Sequence, residues 1–417
     1  MRIIVLLLAI ALAGRSQYLN PEKALHKVTD HVYVATGYAL GNVIYVITDR
    51  SVVVVDTTES PRAAQATLDE FRKISPLPVS YIVYTHFHGD HINGAKVFRG
   101  AETKIIAQRN HTEELRKYVM LGGYNARLNA IQFGSALPEE LRGAKLAIDA
   151  RDPGERGYIP PSVLFDEEYK FEEGGTNFEL YHTIGETFDH LMVWLPRERV
   201  LLPGDLFYES FPMLASPMKP DRPVPGWATS LDRMRKLRPG YLVPSHTRPQ
   251  AGADAIDTLL ANYARAIRFV HDETVKRINQ GLPLERIRAE VQLPDDLAKL
   301  PYLQPGYGTV PWSVNGIYKQ YTGWYDFDPA DLNPPPRVAR AKALLEAAGG
   351  PTAIIARARK ETDPQLIVAL LGVLIDAEPG NRDARALRAD AFEKLGKAAA
   401  NTVERNIYLL AAHDDRK

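Results

Sequence analysis

From His31 to Asp56 the chain reads HVYVATG and then NVIYVITDRSVVVVDT, with β-branched and aromatic residues alternating with polar ones or running together. Such runs, broken by Asp49-Arg50, predict consecutive strands joined by tight turns. The spacing turns helical in SPRAAQATLDEFRKI, where Ser60 is placed to cap a helix and Pro61 to open it. PVSYIVYTH then reads as a buried strand, and AETKIIAQRNHTEELRKY repeats strand and helix. This alternation around a sheet predicts an α/β fold.

Between about residues 122 and 171 the rhythm is lost and Pro and Gly are frequent, which predicts a long insertion over the sheet. Strands resume in NFELYHTI, LMVWLP, RVLLPGD and GYLVPSH. Beyond His246 the pattern becomes helical, beginning with AIDTLLANYARAIRFVHDETVKRINQG and stopping at Gly281. Pro-rich DLNPPPRVA marks a boundary near residue 335. The short helices that follow carry small residues at packing positions, like a pair of helical repeats, and too few to be stable alone. They are expected to dock on their neighbour or on another subunit.

At 417 residues the chain exceeds what one core serves, so a main domain and a smaller one are expected. Its 51 Lys and Arg balance 51 Asp and Glu, which leaves no overall field to draw nucleic acid or an anionic membrane. There is no cysteine, so disulfides, thiolate nucleophiles, iron–sulfur clusters and cysteine-rich zinc sites are excluded. A metal would have to sit on His and carboxylates. The N-terminus, MRIIVLLLAIALAGRSQ, places one Arg before a short apolar run and then small residues. That order predicts a secretory signal over residues 1–19 and a periplasmic or secreted mature protein. Leu12 to Arg15 is similar to a lipoprotein signal, but Arg15 stands where the lipidated cysteine belongs, so no stable membrane anchor is expected.

The densest chemistry lies in YTHFHGDHINGA, where His86, His88, Asp90 and His91 fall within six positions of a chain holding 11 histidines. The motif directly follows a predicted strand, with Gly89 expected to turn the backbone sharply. Glu186, Asp205 and His246 each terminate or follow a later strand, and all are ligand types for borderline or hard metals. The reading assigns His86, His88 and Glu186 to one metal, Asp90, His91 and His246 to a second, and Asp205 as the bridge. Two divalent ions and three carboxylates leave one net positive charge, room for a hydroxide that ionises near neutral pH. Asp56 is expected to orient a ligating histidine, with the start of a turn as its alternative role. His182 and His190 flank Glu186 and either touch the site or pack. His26, His111, His271 and His413 are read as structural. Arg127, Arg222 and Arg248 are candidates for holding an anionic substrate.

The motif THFHGDH, the acid after TIG, and PGD and PSH resemble the signature of the metallo-β-lactamase superfamily. Glutamate at 186, with RFVHDETVKRINQGLPLERIRAEVQLP and GIYKQYTGWYDFDPADLNP, resembles the alkylsulfatase (dodecyl-sulfate hydrolase-like) branch. The resemblance implies an αββα sandwich over 20–250, an all-α dimerisation domain over 251–417, and a homodimer. It also implies two zinc ions per subunit, manganese or iron being alternatives, and cleavage of alkyl sulfate esters by metal-bound hydroxide. Asp90 and Tyr307, the latter in GYGT, are the residues expected to take part in the chemistry.

Three departures bear on the substrate. LFYESFPM stands where the branch carries Asn and His, PWS (residues 311–313) stands where Ser-His-Asn is expected, and the usual C-terminal sterol-carrier-like domain is missing. A lactonase, β-lactamase or phosphoester hydrolase is therefore the alternative enzymatic reading. A periplasmic binding or scaffold protein is the non-enzymatic one.

Overall fold

Valine and isoleucine fill the strands that the alternation predicts. The computed structural model describes residues 22–142, 156–220, 222–325 and 328–417; the expected signal segment, 1–19, lies outside them. The first sheet has seven strands in chain order: β1 (Ala24–Lys27), β2 (Val32–Thr36), β3 (Val43–Ile47), β4 (Val52–Val55), β5 (Val79–Val83), β6 (Lys104–Gln108) and β7 (Val163–Phe165). Strands β1 to β4 pair antiparallel, and β4 to β7 run parallel. The second sheet orders β13 (Gln250–Ala251), β12 (Tyr241–Leu242), β11 (Val200–Leu202), β10 (Leu191–Leu195), β9 (Thr176–His182) and β8 (Glu168–Glu173).

The side chains that point between the sheets form one apolar layer. Val34, Ile44, Val53 and Val83 from the first sheet meet Phe178, Leu180, Val193 and Leu202 from the second. Alternate residues of the central strands are thus spent on this layer, as the period of two requires. The alternate residues of the first sheet, including Tyr45, Val54 and Ile82, pack on the helix Pro61–Phe71 through Ala64, Leu68 and Phe71. Ser60 caps that helix by accepting from the Ala63 amide, as expected. Helices Val224–Lys236 and Ala253–Asn279 pack on each other, and the latter also on β12 and β13, giving the αββα order.

Two compact units emerge: Met1–Asn125 with Lys145–Tyr321, and Ala126–Ala144 with Thr322–Lys417. The division after Tyr321 differs from the boundary at 250/251 that the resemblance implies and lies nearer the Pro-rich boundary expected near residue 335. Helix Ala253–Asn279 carries Ile256, Leu260, Tyr263 and Ile267 as fully buried residues, and Tyr263 donates to the Ser210 carbonyl at 3.0 Å. That helix belongs with the sheets because its apolar face is satisfied there. The second unit stacks helices Arg337–Ala347, Pro351–Lys360, Pro364–Ala377 and Arg382–Ala398 around Leu345, Ile354, Leu371 and Leu374, and helix Thr402–Arg416 packs on Arg382–Ala398. Asn406 and Arg405 tie residues 126–142 into it by donating to the carbonyls of Gln132 and Leu141.

The stretch expected as an irregular insertion, about 122–171, is partly regular. It contains the helix Gly122–Gln132, β7 and most of β8. Gln132 is the one buried residue of that helix, so no apolar stripe marks it in the sequence. No helix among the described residues is long and apolar enough to cross a membrane.

Candidate metal centre

Strand direction brings the chemistry together. Strands β9 and β11 are both antiparallel to β10, and β12 is parallel to β11, so all three send their C-terminal ends to one edge of the second sheet. Glu186, Asp205 and His246 follow those three ends. Strands β4 and β5, parallel in the first sheet, deliver Asp56 and His86 in the same way. Backbone bonds lace the two edges: Leu191 donates to the Thr85 carbonyl at 2.8 Å and Asn42 to the Ser245 carbonyl at 2.7 Å. Ligand sites collect at such edges because converging loops can reach one point from a rigid frame.

All seven donors meet there in two groups. His86, His88, Glu186 and Asp205 form one, and Asp90, His91 and His246 the other, with the donor atoms of each within 4.8 Å of one another. Asp205 Oδ2 lies 3.0 Å from His246 Nε2, 3.4 Å from His91 Nε2 and 3.7 Å from His86 Nε2. It therefore touches both groups, as a bridging ligand must. Asp90 Oδ2 lies 3.5 Å from both His91 Nε2 and His246 Nε2, and Glu186 Oε2 lies 3.6 Å from His88 Nδ1.

These donors fit a metal. Nitrogen and oxygen ligands at zinc bond lengths, arranged tetrahedrally, stand roughly 3.3 Å apart. His91 Nε2 and Asp205 Oδ1 are buried without a hydrogen-bond partner, an arrangement costly for a folded chain unless something else binds them. Burial, then neighbouring imidazoles and cations, holds His86 and His88 well below the usual histidine range, so both are neutral with lone pairs to offer. Burial also opposes charge on His91 and His246, but Asp205 and the other acids outweigh it. His91 is held well above its usual value, and His246 is pushed up to about 9. Against burial, His91 and His246 keep Asp90 ionised.

The outer nitrogens of His86, His91 and His246 are also held. Asp56 Oδ2 lies 2.8 Å from His91 Nδ1 and accepts from Thr85 Oγ1 at 2.9 Å and Ser245 Oγ at 2.7 Å. This is the role expected of Asp56. The Leu40 carbonyl lies 2.9 Å from His246 Nδ1, and Thr85 Oγ1 lies 3.1 Å from His86 Nδ1. His190 Nε2 accepts the Asp205 amide at 3.1 Å, so it supports the bridging acid through the backbone. Gly204, at φ +58°, would drive a Cβ to 2.8 Å from that imidazole, and this close approach requires glycine. Gly89 opens the short helix Gly89–Ile92 that carries Asp90 and His91, and its φ is not left-handed.

The remaining expectations divide. His182 bonds the Phe188 carbonyl, His111 bonds Asp189, His26 bonds Thr36 and His271 bonds Tyr321, all as packing residues. His413 lies on the last helix of the second unit. Among the arginines, Arg222 is buried and paired with Glu186, whereas Arg248 and Arg127 are exposed. Tyr307 packs edge-on against Tyr208 at 5.7 Å, and burial next to Glu186 lifts its hydroxyl far above the ordinary range. In LFYESFPM, Tyr208 donates to Glu186 at 3.2 Å and accepts the Met213 amide at 2.7 Å. In PWS, Ser313 donates back to the Thr309 carbonyl, just before the helix Val310–Tyr321 that carries it.

Two residues escaped the sequence reading. Lys219 is brought down to about 8 by burial and by Arg222, while Asp90 and Glu186 act the other way, which sets it among the donors. Its spacing of three from Arg222 was the available signal. Glu59 sits in the turn after β4 and accepts the Leu40 amide at 2.6 Å. Nothing in its local pattern distinguishes it from a surface acid.

Comparison with known proteins agrees with this geometry. Residues 37–246 match the metallo-beta-lactamase superfamily, and residues 284–417 match the alkyl sulfatase dimerisation family. A linear primary-alkylsulfatase of Pseudomonas sp. is 32% identical over 383 residues, 86% of this chain and 71% of that protein. An alkyl/aryl-sulfatase of Saccharomyces cerevisiae is 30% identical over 97% of this chain and 65% of its own length. The solved structure of a stereoselective inverting sec-alkylsulfatase from Pseudomonas sp. superposes with a TM-score of 0.85 at 28% identity, over 97% of this chain and 70% of that one. The chain thus spans about two thirds of the length of these relatives. With the fold, the dimerisation-family match and similarity at this level over most of its length, the chain belongs to the alkylsulfatase branch of the metallo-β-lactamase superfamily.

Proposed function

We propose that the protein hydrolyses sulfate monoesters of alkyl alcohols with two zinc ions per subunit. One ion would be held by His86, His88 and Glu186 and the other by Asp90, His91 and His246, with Asp205 shared; manganese or iron suits the same donors. When bound, such ions supply Lewis acidity and lower the pKa of water enough to yield a nucleophile at neutral pH.

The rest of the chemistry belongs to the chain. Lys219 and Arg222 stand as cations beside the donor set, Arg222 paired with Glu186, and their sign suits the single negative charge of a sulfate monoester. Tyr307, kept protonated by burial, can donate a hydrogen bond to a sulfate oxygen. Tyr208 and Arg222 both engage Glu186, which fixes the acid and sets the guanidinium at the same wall. Asp56 and His190 fix His91 and Asp205, so the donors need no rearrangement.

The observation that carries the reading is the meeting of seven donors with two cations at a single point. The alkylsulfatase relatives support the substrate class, and the dimerisation-family match supports a homodimer. The N-terminal sequence supports a periplasmic or secreted location. The test is a metal-replete sample offered dodecyl sulfate, an alkyl phosphate, a lactone and a β-lactam. Release of sulfate from the first is expected; turnover confined to the other three would replace the reading. Oxygen-18 water then assigns the bond: label in the alcohol reports attack on carbon, label in sulfate attack on sulfur.

A further inference from the structure

The four residues Asp56 to Glu59 form a turn with two non-glycine residues in the left-handed region, Asp56 at φ 58° and Thr58 at φ 59°. Such conformations are unfavourable, for a β-branched residue above all, and persist where the surroundings over-determine them. Here the turn is anchored at three points. Asp56 holds the His91 ring at Nδ1. Thr57 donates to the His91 carbonyl through both its amide, at 2.7 Å, and its hydroxyl, at 2.9 Å.

Glu59 makes the third anchor, on a different segment. Its carboxylate accepts the Leu40 amide at 2.6 Å and also bonds the Gly41 amide. The Leu40 carbonyl, on the other side of that residue, lies 2.9 Å from His246 Nδ1. Asn42 completes the attachment by donating to the Pro244 and Thr247 carbonyls at 2.9 and 3.0 Å. Gly41 is pressed so closely on the Asp90 backbone that a Cβ would fall 2.2 Å from its carbonyl oxygen. The Leu40–Asn42 segment is therefore wedged between Asp90 and His246, and Glu59 pins it there.

We propose that Glu59 is a positioning residue for Asp90, His91 and His246, acting through the Leu40–Gly41 backbone. The inference rests on the reading of those three residues as a metal site. Neutralising Glu59 should loosen one donor group and spare the other, because the Glu59 carboxylate reaches the Leu40–Gly41 segment, whereas the tie from this turn to His86 runs through Asp56 and Thr85.

Stepwise zinc titration of metal-free protein, with metal content measured after dialysis, tests this in Glu59→Gln and Glu59→Leu. One of the two equivalents is expected to bind as in the wild type. The other should weaken 10- to 100-fold in Glu59→Leu, the scale typical of residues that orient ligands. Glu59→Gln should weaken it less, because the amide oxygen can still accept one N–H. Unchanged binding of both equivalents in Glu59→Leu overturns the proposal, and so does equal weakening of both, which signals general loosening. If Glu59→Leu does not fold, Glu59→Gln is judged by the same two criteria. A wild type that binds fewer than two ions removes the metal reading itself. A wild type that binds two, with unaltered variants, removes the role of Glu59 alone.

Discussion

His246 Nε2 lies 3.0 Å from Asp205 Oδ2, the acid that touches both donor groups. In the metal-free protein this contact raises His246 to about 9 against the opposing effect of burial. The folded value lies above the unfolded one, near 6.5, so the stabilisation is complete below that value and lost as pH rises through about 9. A metal displaces the same proton. Denaturant melts of metal-free protein should weaken between pH 7 and 9.5, and zinc uptake should release protons over that range, read by calorimetry in buffers of different ionisation enthalpy. Uptake without proton release at pH 7 would contradict the assignment of His246 as a ligand.

Asp56 is buried and accepts from Thr85, Ser245 and His91 at once. In Asp56→Asn one oxygen becomes an NH₂ facing donors, so His91 loses its orienting partner. We expect metal affinity to fall about 10- to 100-fold, measured by competition with a chelator.

Lys219 stands beside Asp90, Glu186 and Arg222 without being a metal donor. In Lys219→Met, kcat/KM for an alkyl sulfate should drop about 10- to 100-fold, the worth of one hydrogen bond to a charged group. Metal content should be unchanged. A neutral ester should be cleaved as well as by the wild type, which separates loss of anion binding from loss of chemistry.

His190 is fully buried, and burial brings it down to about 4 despite the nearby acids. The unfolded chain therefore takes up this proton first, and stability falls as pH drops from about 6.5 towards 4. The shift corresponds to roughly 3 kcal/mol for a group so enclosed. His190→Gln should lose less stability over that window than the wild type, with urea midpoints at pH 4 and 7 as the comparison.

Much of the site was legible in the sequence because strand ends are. THFHGDH follows an apolar run, and TIGE, PGD and PSH follow three others, so residue type and position along the chain together marked all seven donors. Helix Pro61–Phe71 was equally plain, since Ser60, Pro61 and the spacing of Ala64, Leu68 and Phe71 all point the same way. The helix Gly122–Gln132 was not, because it buries almost nothing and so leaves no periodic trace.

Lys219 and Glu59 were invisible for another reason. A charge in a loop reads as solvated until the fold shows which walls surround it, and this holds for Lys219 in its loop and for Glu59 in the turn after β4 alike. The sequence by itself determined the donor types, their order and the strands that carry them, because these depend on local pattern and on the chemistry of single side chains. Tertiary structure alone decided that β9, β11 and β12 end at one edge, that Asp205 touches both donor groups, and that the turn at Asp56 braces two histidines 155 positions apart in the chain (246 minus 91). Those are relations between segments, and they arise only when packing fixes the distances.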